Sequence, residues 1–321
     1  MAIRPDPANP AESKTVRKVA ITPDSIPPFD AAAHYANYDH EAVLALSRKT
    51  LITPATYNRK GTVEQCVAAT NRHKLEAKMY IHDDGSDEYG ETWLQQFGDR
   101  VFRHKRSAGG KQGVKNLRSN ITKSVLGDFQ PDVFKPWLEE DFVSAGPEYL
   151  YHVDSDGLHD PYFFYRIHEI MELYPNWGTI CLYNAKFHSP RGNRTENSVI
   201  DPYTSVRSMA PGISMFFRMQ SFLDNPNKVQ VPDGRGWDGF YSREVANRKV
   251  VTSLVSFVEH YGKWGFHNKG NFDRDRALNP TKYLTDGRQS TIEKIESEHV
   301  LTTKRMDQVS KTPMSGSNHA V

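Results

Sequence analysis

Apolar positions along the chain form short runs that switch between a period near 3.6 and a period of two. Residues 1–38 are polar and broken by Pro5, Pro7, Pro10, Pro23, Pro27 and Pro28, which cannot sustain a helix, so an arm or mobile tail is expected there. A short helix is expected over 39–49 and a β-branched strand over 49–54. Thr62 followed by Gln65 has the form of a capping box, and Val63, Cys66, Val67 and Thr70 recur at helical spacing, which predicts a helix over 62–78. Met79, Tyr80, Ile81 and His82 then run straight into Asp83, Asp84, Gly85 and Ser86, a strand ending in a tight acidic turn. A helical stretch around 91–97, a strand over 101–104 and a helix over 113–126 with Val114, Leu117, Ile121 and Val125 on one side complete the first half.

Pro131, Pro136 and Pro147 interrupt the rhythm over 128–147, where a loop or helical insertion is expected. The pattern returns with a strand over 149–153 that ends in Asp154, Ser155, Asp156 and Gly157, and Asp160 with Pro161 reads as the N-cap and first residue of a helix reaching about 174. A strand over 177–184, a polar loop over 191–211, an apolar run over 212–217, a turn into a helix over 237–248 and a β-rich run over 250–258 follow. Beyond 270 the apolar period fades and the last thirty or so residues read as a solvated tail. Strand and helix alternation of this kind predicts an α/β fold with a mixed, mostly parallel sheet flanked by helices, whose ligand site lies outside the carboxyl ends of the strands.

At 321 residues the chain can bury a large core, and with 41 basic against 39 acidic side chains it carries no global field for gripping nucleic acid. A local basic face stays open, since Arg191, Arg194 and Arg207 add cations to a polar stretch. Cys66 and Cys181 make no disulfide framework and have no zinc spacing, so they read as small core residues in a reducing compartment, with one bridge between them left open. No apolar run approaches the roughly 20 residues that span a bilayer and the N-terminus lacks a signal core, so a soluble, cytoplasmic protein is expected.

The sharpest chemical feature is Asp154, Ser155, Asp156 at a strand end. Two carboxylates one residue apart can address one hard cation, Mn²⁺ or Mg²⁺, and the diphosphate it carries; the bland reading is a solvated turn. Asp83 and Asp84 close a second strand, where Asp84 can cap the turn through Gly85 and Ser86. Arg103, Lys105, Arg106, Lys111, Lys115 and Arg118, with Gly109, Gly110 and Gly113 among them, suit a diphosphate, a nucleic-acid backbone or plain solvent. Asp238, in Gly236-Trp237-Asp238-Gly239, lies at a turn just ahead of a helix, where it reads as an N-cap.

The run Thr53, Pro54, Ala55, Thr56, Tyr57, Asn58, Arg59, then His82 to Asp87, then the basic stretch to Arg118, Ser119 and Asn120, then Asp154 to Asp156, resembles the GT-A class of nucleotide-sugar glycosyltransferases, nearest to family 2. The resemblance covers about 49–267. It implies one catalytic domain over 39–270, with a nucleotide-sugar-binding half (49–157) and an acceptor-binding half (158–270), between the arm and a polar tail over 271–321. It further implies that Thr53, Pro54 and Thr56 cradle the nucleotide, that Asp83 or Asp84 accepts from the base, and that Lys111, Arg118, Asn120, Asp154 and Ser155 meet the nucleotide sugar. A metal would be held by Asp154 and Asp156 with His260 or His267, and Trp237 and Trp264 would face the acceptor. Asp238 would be the base, with Asp233 its rival. The function so implied is metal-dependent transfer of one sugar, most simply from a UDP-sugar, to a hydroxyl on a hydroxymethylated DNA base, a glycan, a protein or a small molecule. The alternatives are a non-catalytic nucleotide-sugar-binding module and a sugar-nucleotide nucleotidyltransferase.

Overall fold

The structure is a computed structural model that describes Ile26 and residues 29–105, 111–144, 146–185, 198–262 and 277–311. Its first half runs α1 (Ala31–His34), α2 (His40–Arg48), β1 (Thr50–Thr56), α3 (Lys60–His73), β2 (Lys78–Asp83), α4 (Glu91–Leu94), β3 (Arg100–Arg103), α5 (Lys111–Leu126), α6 (Pro131–Asp141) and β4 (Tyr149–Asp154). The second half runs β5 (Gly157–His159), α7 (Phe163–Leu173), β6 (Thr179–Cys181), β7 (Ser198–Asp201), β8 (Thr204–Arg207), β9 (Ser214–Arg218), α8 (Met219–Leu223), α9 (Trp237–Glu244), β10 (Val250–Ser253), β11 (Val258–His260) and α10 (Lys282–Lys311).

Among the described residues the main sheet has nine strands in the order β3-β2-β1-β4-β9-β6-β10-β8-β7. The pairings β3 with β2, β2 with β1, β1 with β4 and β6 with β10 are parallel, while β9 and β8 run against both of their neighbours, so the sheet is mixed with most strands pointing one way. Helices cover both faces, and β4 shows how: Tyr151 stacks on Phe163 of α7 on one side, while His152 shares a hydrogen bond with Thr122 of α5 and stacks on Tyr241 of α9 on the other. Cys66 and Cys181 are buried free thiols, as core residues should be.

Four expectations change. Thr62 caps nothing: α3 begins two residues earlier because Arg59, in the left-handed region, closes its first turn, and Thr62 is buried inside the helix. Asp160 is not the helix N-cap either; its Oδ1 accepts the Tyr162 N–H (2.7 Å) in a turn ahead of α7. The polar loop over 191–211 contains an antiparallel hairpin, β7 with β8, that extends the sheet. Residues 282–311 are helical rather than a tail, and Leu284 and Ile295 of α10 are buried in a cluster with Cys66 and Ala69 of α3. Gly61 permits that approach, since a Cβ there would lie 2.5 Å from the Cβ of Glu298.

The segment read as the end of a mobile arm is docked over 29–38. Phe29 lies edge-on to Tyr203 (4.9 Å) and Phe257 (5.6 Å), and the Tyr35 hydroxyl donates to Glu169 of α7 (2.8 Å). Aromatic area, dense here despite the prolines before it, supplies the burial. Of the earlier arm residues only Ile26 is described, buried against the core, and Pro5, Pro7, Pro10, Pro23, Pro27 and Pro28 lie outside the described residues. No helix among the described residues is long and apolar enough to cross a membrane.

Candidate functional site

Parallel pairing brings the carboxyl ends of β1, β2 and β4 to one edge, with Thr56 opposite Asp83 and Ala55 opposite Asp154. At that edge Asp83 is fully buried and occupied within the fold. Its Oδ1 accepts the Thr56 hydroxyl (3.1 Å) and the Ser86 hydroxyl, its Oδ2 accepts the Ser86 N–H (2.9 Å), and Arg103 lies 3.5 Å away. Asp83 therefore builds the turn, in which Gly85 takes a φ of 74° that favours glycine, and Asp84 stands at its rim. Thr53 turns its hydroxyl into the core, onto His152 Nδ1 (2.9 Å), its carbonyl accepts from Arg118, and Pro54 is buried, so neither side chain is presented at the edge.

Arg118, expected at the nucleotide sugar, is completely buried. Its guanidinium donates to the carbonyls of Thr53 (3.1 Å) and Val153 (2.6 Å) and to Asp154 Oδ1, and lies over the Trp237 ring at 4.7 Å. It staples the ends of β1 and β4 and holds Asp154 from behind. Trp237 is likewise core rather than acceptor-facing: it is buried, and a Cβ on Gly212 would come within 2.5 Å of its ring. Asn120, half-buried in α5, follows Arg118 by two residues, about 200° around the helix, so the two cannot serve one ligand from one face. The basic stretch divides: Arg103 and Lys105 are exposed, Arg103 donating to the Ser86 carbonyl, while buried Lys115 reaches the Pro232 carbonyl (3.5 Å). Lys111 is the first residue of α5, its side chain outside the description; Arg106, Gly109 and Gly110 lie outside the described residues.

Asp156 is the focus of the cluster. Its Oδ2 accepts from Arg59 Nη1 (2.6 Å) and faces His260 Nε2 (3.3 Å), while Arg59 Nη2 donates to Ser155 Oγ (3.4 Å). The small sheet of β5 and β11 delivers the histidine, because His260 pairs with Gly157 and the Tyr261 N–H bonds the Asp156 carbonyl (2.8 Å). Burial alone would raise the Asp156 carboxyl; Arg59, then His260, outweigh it and hold the group well below the usual carboxylate range. Burial pushes Asp154 up against the pull of Arg118, so Asp156 is the firmer anion of the pair.

Arg59 was not singled out from the sequence. It sits after Asn58 in a left-handed pair (φ 50° and 57°), a conformation that costs side-chain-bearing residues about 1–3 kcal/mol each. Asn58 holds it in place: its Oδ1 accepts the N–H groups of Asp87 (2.8 Å) and Glu88 (3.3 Å), its own N–H donates to Ser86 Oγ (2.8 Å), and the Tyr89 hydroxyl donates to its carbonyl (2.9 Å). The signal was present, since Arg59 and Lys60 follow directly on the strand that pairs with the one carrying Asp154.

Asp238 lies in the first turn of α9, half-buried, its Oδ1 accepting the Gly239 N–H (2.7 Å). Burial raises its proton affinity, and the charge of Asp154 adds to the effect, so the two carboxylates sense one another across the edge. Its rival Asp233 is exposed, 3.8 Å from Lys115 Nζ. Arg207, counted as a surface cation for nucleic acid, is buried on β8 with Nη2 donating to Asn184 Oδ1 (2.9 Å). Trp264, His267, Arg191 and Arg194 lie outside the described residues.

The donor types at the edge, two carboxylates and an imidazole, suit a hard divalent cation such as Mn²⁺. As they stand, both carboxylates face guanidiniums, and among the described residues no group of three or more His, Cys, Asp or Glu is arranged to hold a metal.

A mixed α/β sheet with acidic residues on the carboxyl ends of its parallel strands defines the class of fold. No family model matches the chain, and no curated protein matches it. Among solved structures it is distantly similar to S. aureus TarS. With residues 1–349 of TarS the identity is 14%, over 67% of this chain and 61% of that one, at a TM-score of 0.43. The second, a longer TarS structure, gives 13% over 65% and 36%, at 0.41. The mannosyltransferase PcManGT from Pyrobaculum calidifontis, in complex with GDP-Man and Mn²⁺, gives 11% identity over 74% of this chain and 68% of that one, at 0.40. The chain thus spans less than two thirds of either TarS structure.

Proposed function

We propose that the chain is a glycosyltransferase that moves one sugar from a nucleoside diphosphate donor to a hydroxyl acceptor. The observation that carries this reading is that Asp154 and Asp156 stand at one strand end with His260 against Asp156, and that a third carboxylate, Asp238, is close enough to feel the charge of Asp154. Asp238 takes the acceptor proton, the acceptor oxygen forms a bond to the anomeric carbon, and the bond from that carbon to the diphosphate oxygen breaks, its electron pair leaving with the diphosphate. In-line displacement inverts the anomeric centre.

Asp84 accepts an N–H from the base, the N3–H when the base is uracil, and Asp83 holds the turn that presents it. The main chain of Thr53, Pro54 and Thr56 borders the nucleotide. Asp154, Asp156 and His260 are the residues that would hold Mn²⁺ or Mg²⁺, which when bound supplies positive charge to the departing diphosphate. Arg118 acts through Asp154, fixing its direction from the buried side.

Calorimetric titration with UDP, GDP, ADP and CDP, each with and without Mn²⁺, tests the donor site. Binding of one diphosphate, lost in Asp156→Ala, is expected, followed by release of that diphosphate when its sugar conjugates are offered with DNA, protein, glycan or small acceptors. Failure of all four to bind overturns the reading.

A further inference from the structure

The guanidiniums on Asp154 and Asp156 are held in unlike ways. Arg118 has no exposed surface and four anchors besides its stacking on Trp237: two main-chain carbonyls, His152 Nδ1 (3.5 Å) and Asp154. It cannot leave without unsatisfying both strand ends. Arg59 reaches in from the loop after β1, with a side chain 26% exposed covering an Asp156 side chain only 8% exposed. Beyond Asp156, its side-chain bond among the described residues is the long one to Ser155 Oγ. Its backbone, by contrast, is anchored: Asn58 before it makes four hydrogen bonds, and the Arg59 carbonyl accepts from the N–H groups of Thr62 and Val63.

We propose that Arg59 is an exchangeable latch on Asp156, occupying that carboxylate until a divalent cation arrives together with a diphosphate. The inference rests on the proposed donor reading. A cation arriving alone must displace a guanidinium that has no new anion to meet, and like charge opposes the exchange. When the cation comes with a diphosphate, Arg59 rotates from Asp156 onto a phosphate oxygen, a partner its planar fork matches well, and the carboxylate passes to the metal. Asp154 stays where Arg118 holds it. Metal and nucleotide binding are thereby coupled through one side chain, and the positions of the backbone need not change.

The test is Mn²⁺ binding to the full chain, followed by calorimetry without nucleotide and then in the presence of UDP or GDP, for the wild type, Arg59→Met and Arg59→Lys, with a thermal melt on each sample. The wild type should bind Mn²⁺ weakly alone and about tenfold or more tightly with the diphosphate. Arg59→Met should bind Mn²⁺ alone about tenfold more tightly than the wild type and lose most of the coupling. Arg59→Lys, which keeps the charge, should stay near the wild type. A folded Arg59→Met that binds Mn²⁺ alone no better than the wild type overturns the latch. So does wild-type diphosphate binding that survives EDTA and vanishes in Arg59→Met, because Arg59 would then replace the metal rather than yield to it. If no diphosphate binds any form while Arg59→Met still gains Mn²⁺ affinity, the exchange at Asp156 stands and the donor reading falls.

Discussion

Two regions of the molecule treat buried charge in opposite ways. At the ends of β1, β2 and β4, Asp83, Asp154 and Asp156 each meet a guanidinium, from Arg103, Arg118 and Arg59. In the second half, Asp238 is met by backbone N–H groups, and Arg207 has one amide oxygen, with its Nε and Nη1 unpartnered among the described residues. Burial without a counter-charge pulls Arg207 down to about 10 and raises Asp238. The contrast teaches what a counter-charge does: paired charges fix strand ends in place, and an unpaired carboxylate keeps its affinity for a proton.

The largest effect should come from removing the unpaired group. Asp238→Asn is expected to lower turnover by about 10²–10⁴, with donor affinity retained, as measured by diphosphate release beside calorimetry. Because the base must be ionised and its proton affinity is raised, the rate in the wild type should fall with decreasing pH through a value above the ordinary carboxylate range near ~4. Turnover unchanged in the variant would remove Asp238 from the reaction.

Next come the paired groups. Arg118→Met leaves Asp154 and two carbonyls without their donor and should cost about 3–5 kcal/mol in urea unfolding. The same change at Arg207 should be nearly neutral or stabilising, since it removes a cation that burial leaves uncompensated. Equal losses at both positions would erase the distinction between the two sides.

Acid should weaken the fold through histidines. Burial lowers His82, His152, His104 (to about 4) and His159 (to about 3), so all four stay neutral in the folded state while the unfolded chain takes up protons near ~6.5. Stability is therefore full above that value and lost as pH falls below it, at up to about 1.4 kcal/mol per histidine per pH unit. Denaturant midpoints from pH 7 to 4.5 would show it; a flat profile would mean the rings are protonated in place. The smallest effect is expected at exposed Asp233, where Asn should change stability by less than about 0.5 kcal/mol and leave turnover intact.

The alternation of β1, α3, β2, α5 and β4 was legible because the strands are short runs buried on both faces and the helices between them carry apolar residues at helical spacing, and that located the acidic strand ends. Partnerships across the chain were not. Arg118 looks like a surface cation in a basic run, and only the parallel pairing of β1 with β4 shows that its donors close two strand ends. Arg59 and Asp156 are far apart in sequence, and no local period links them. α10 escaped notice because little of its docking is apolar: Leu284 and Ile295 are buried, and Arg288 forms an ion pair with fully buried Glu259. His260, by contrast, was singled out with His267 by residue type alone, and the pairing of β11 with β5 places it 3.3 Å from Asp156.

The clamp that Asn58 forms on residues 86–89 has a consequence for the thermodynamics of binding. Two loops that would otherwise each have to be ordered by a ligand are already one body, so the entropy of arranging them is lost during folding instead. A nucleotide meeting this edge should then bind with a small ordering penalty, and its heat of binding should report chiefly the exchange of ions and water at the carboxylates.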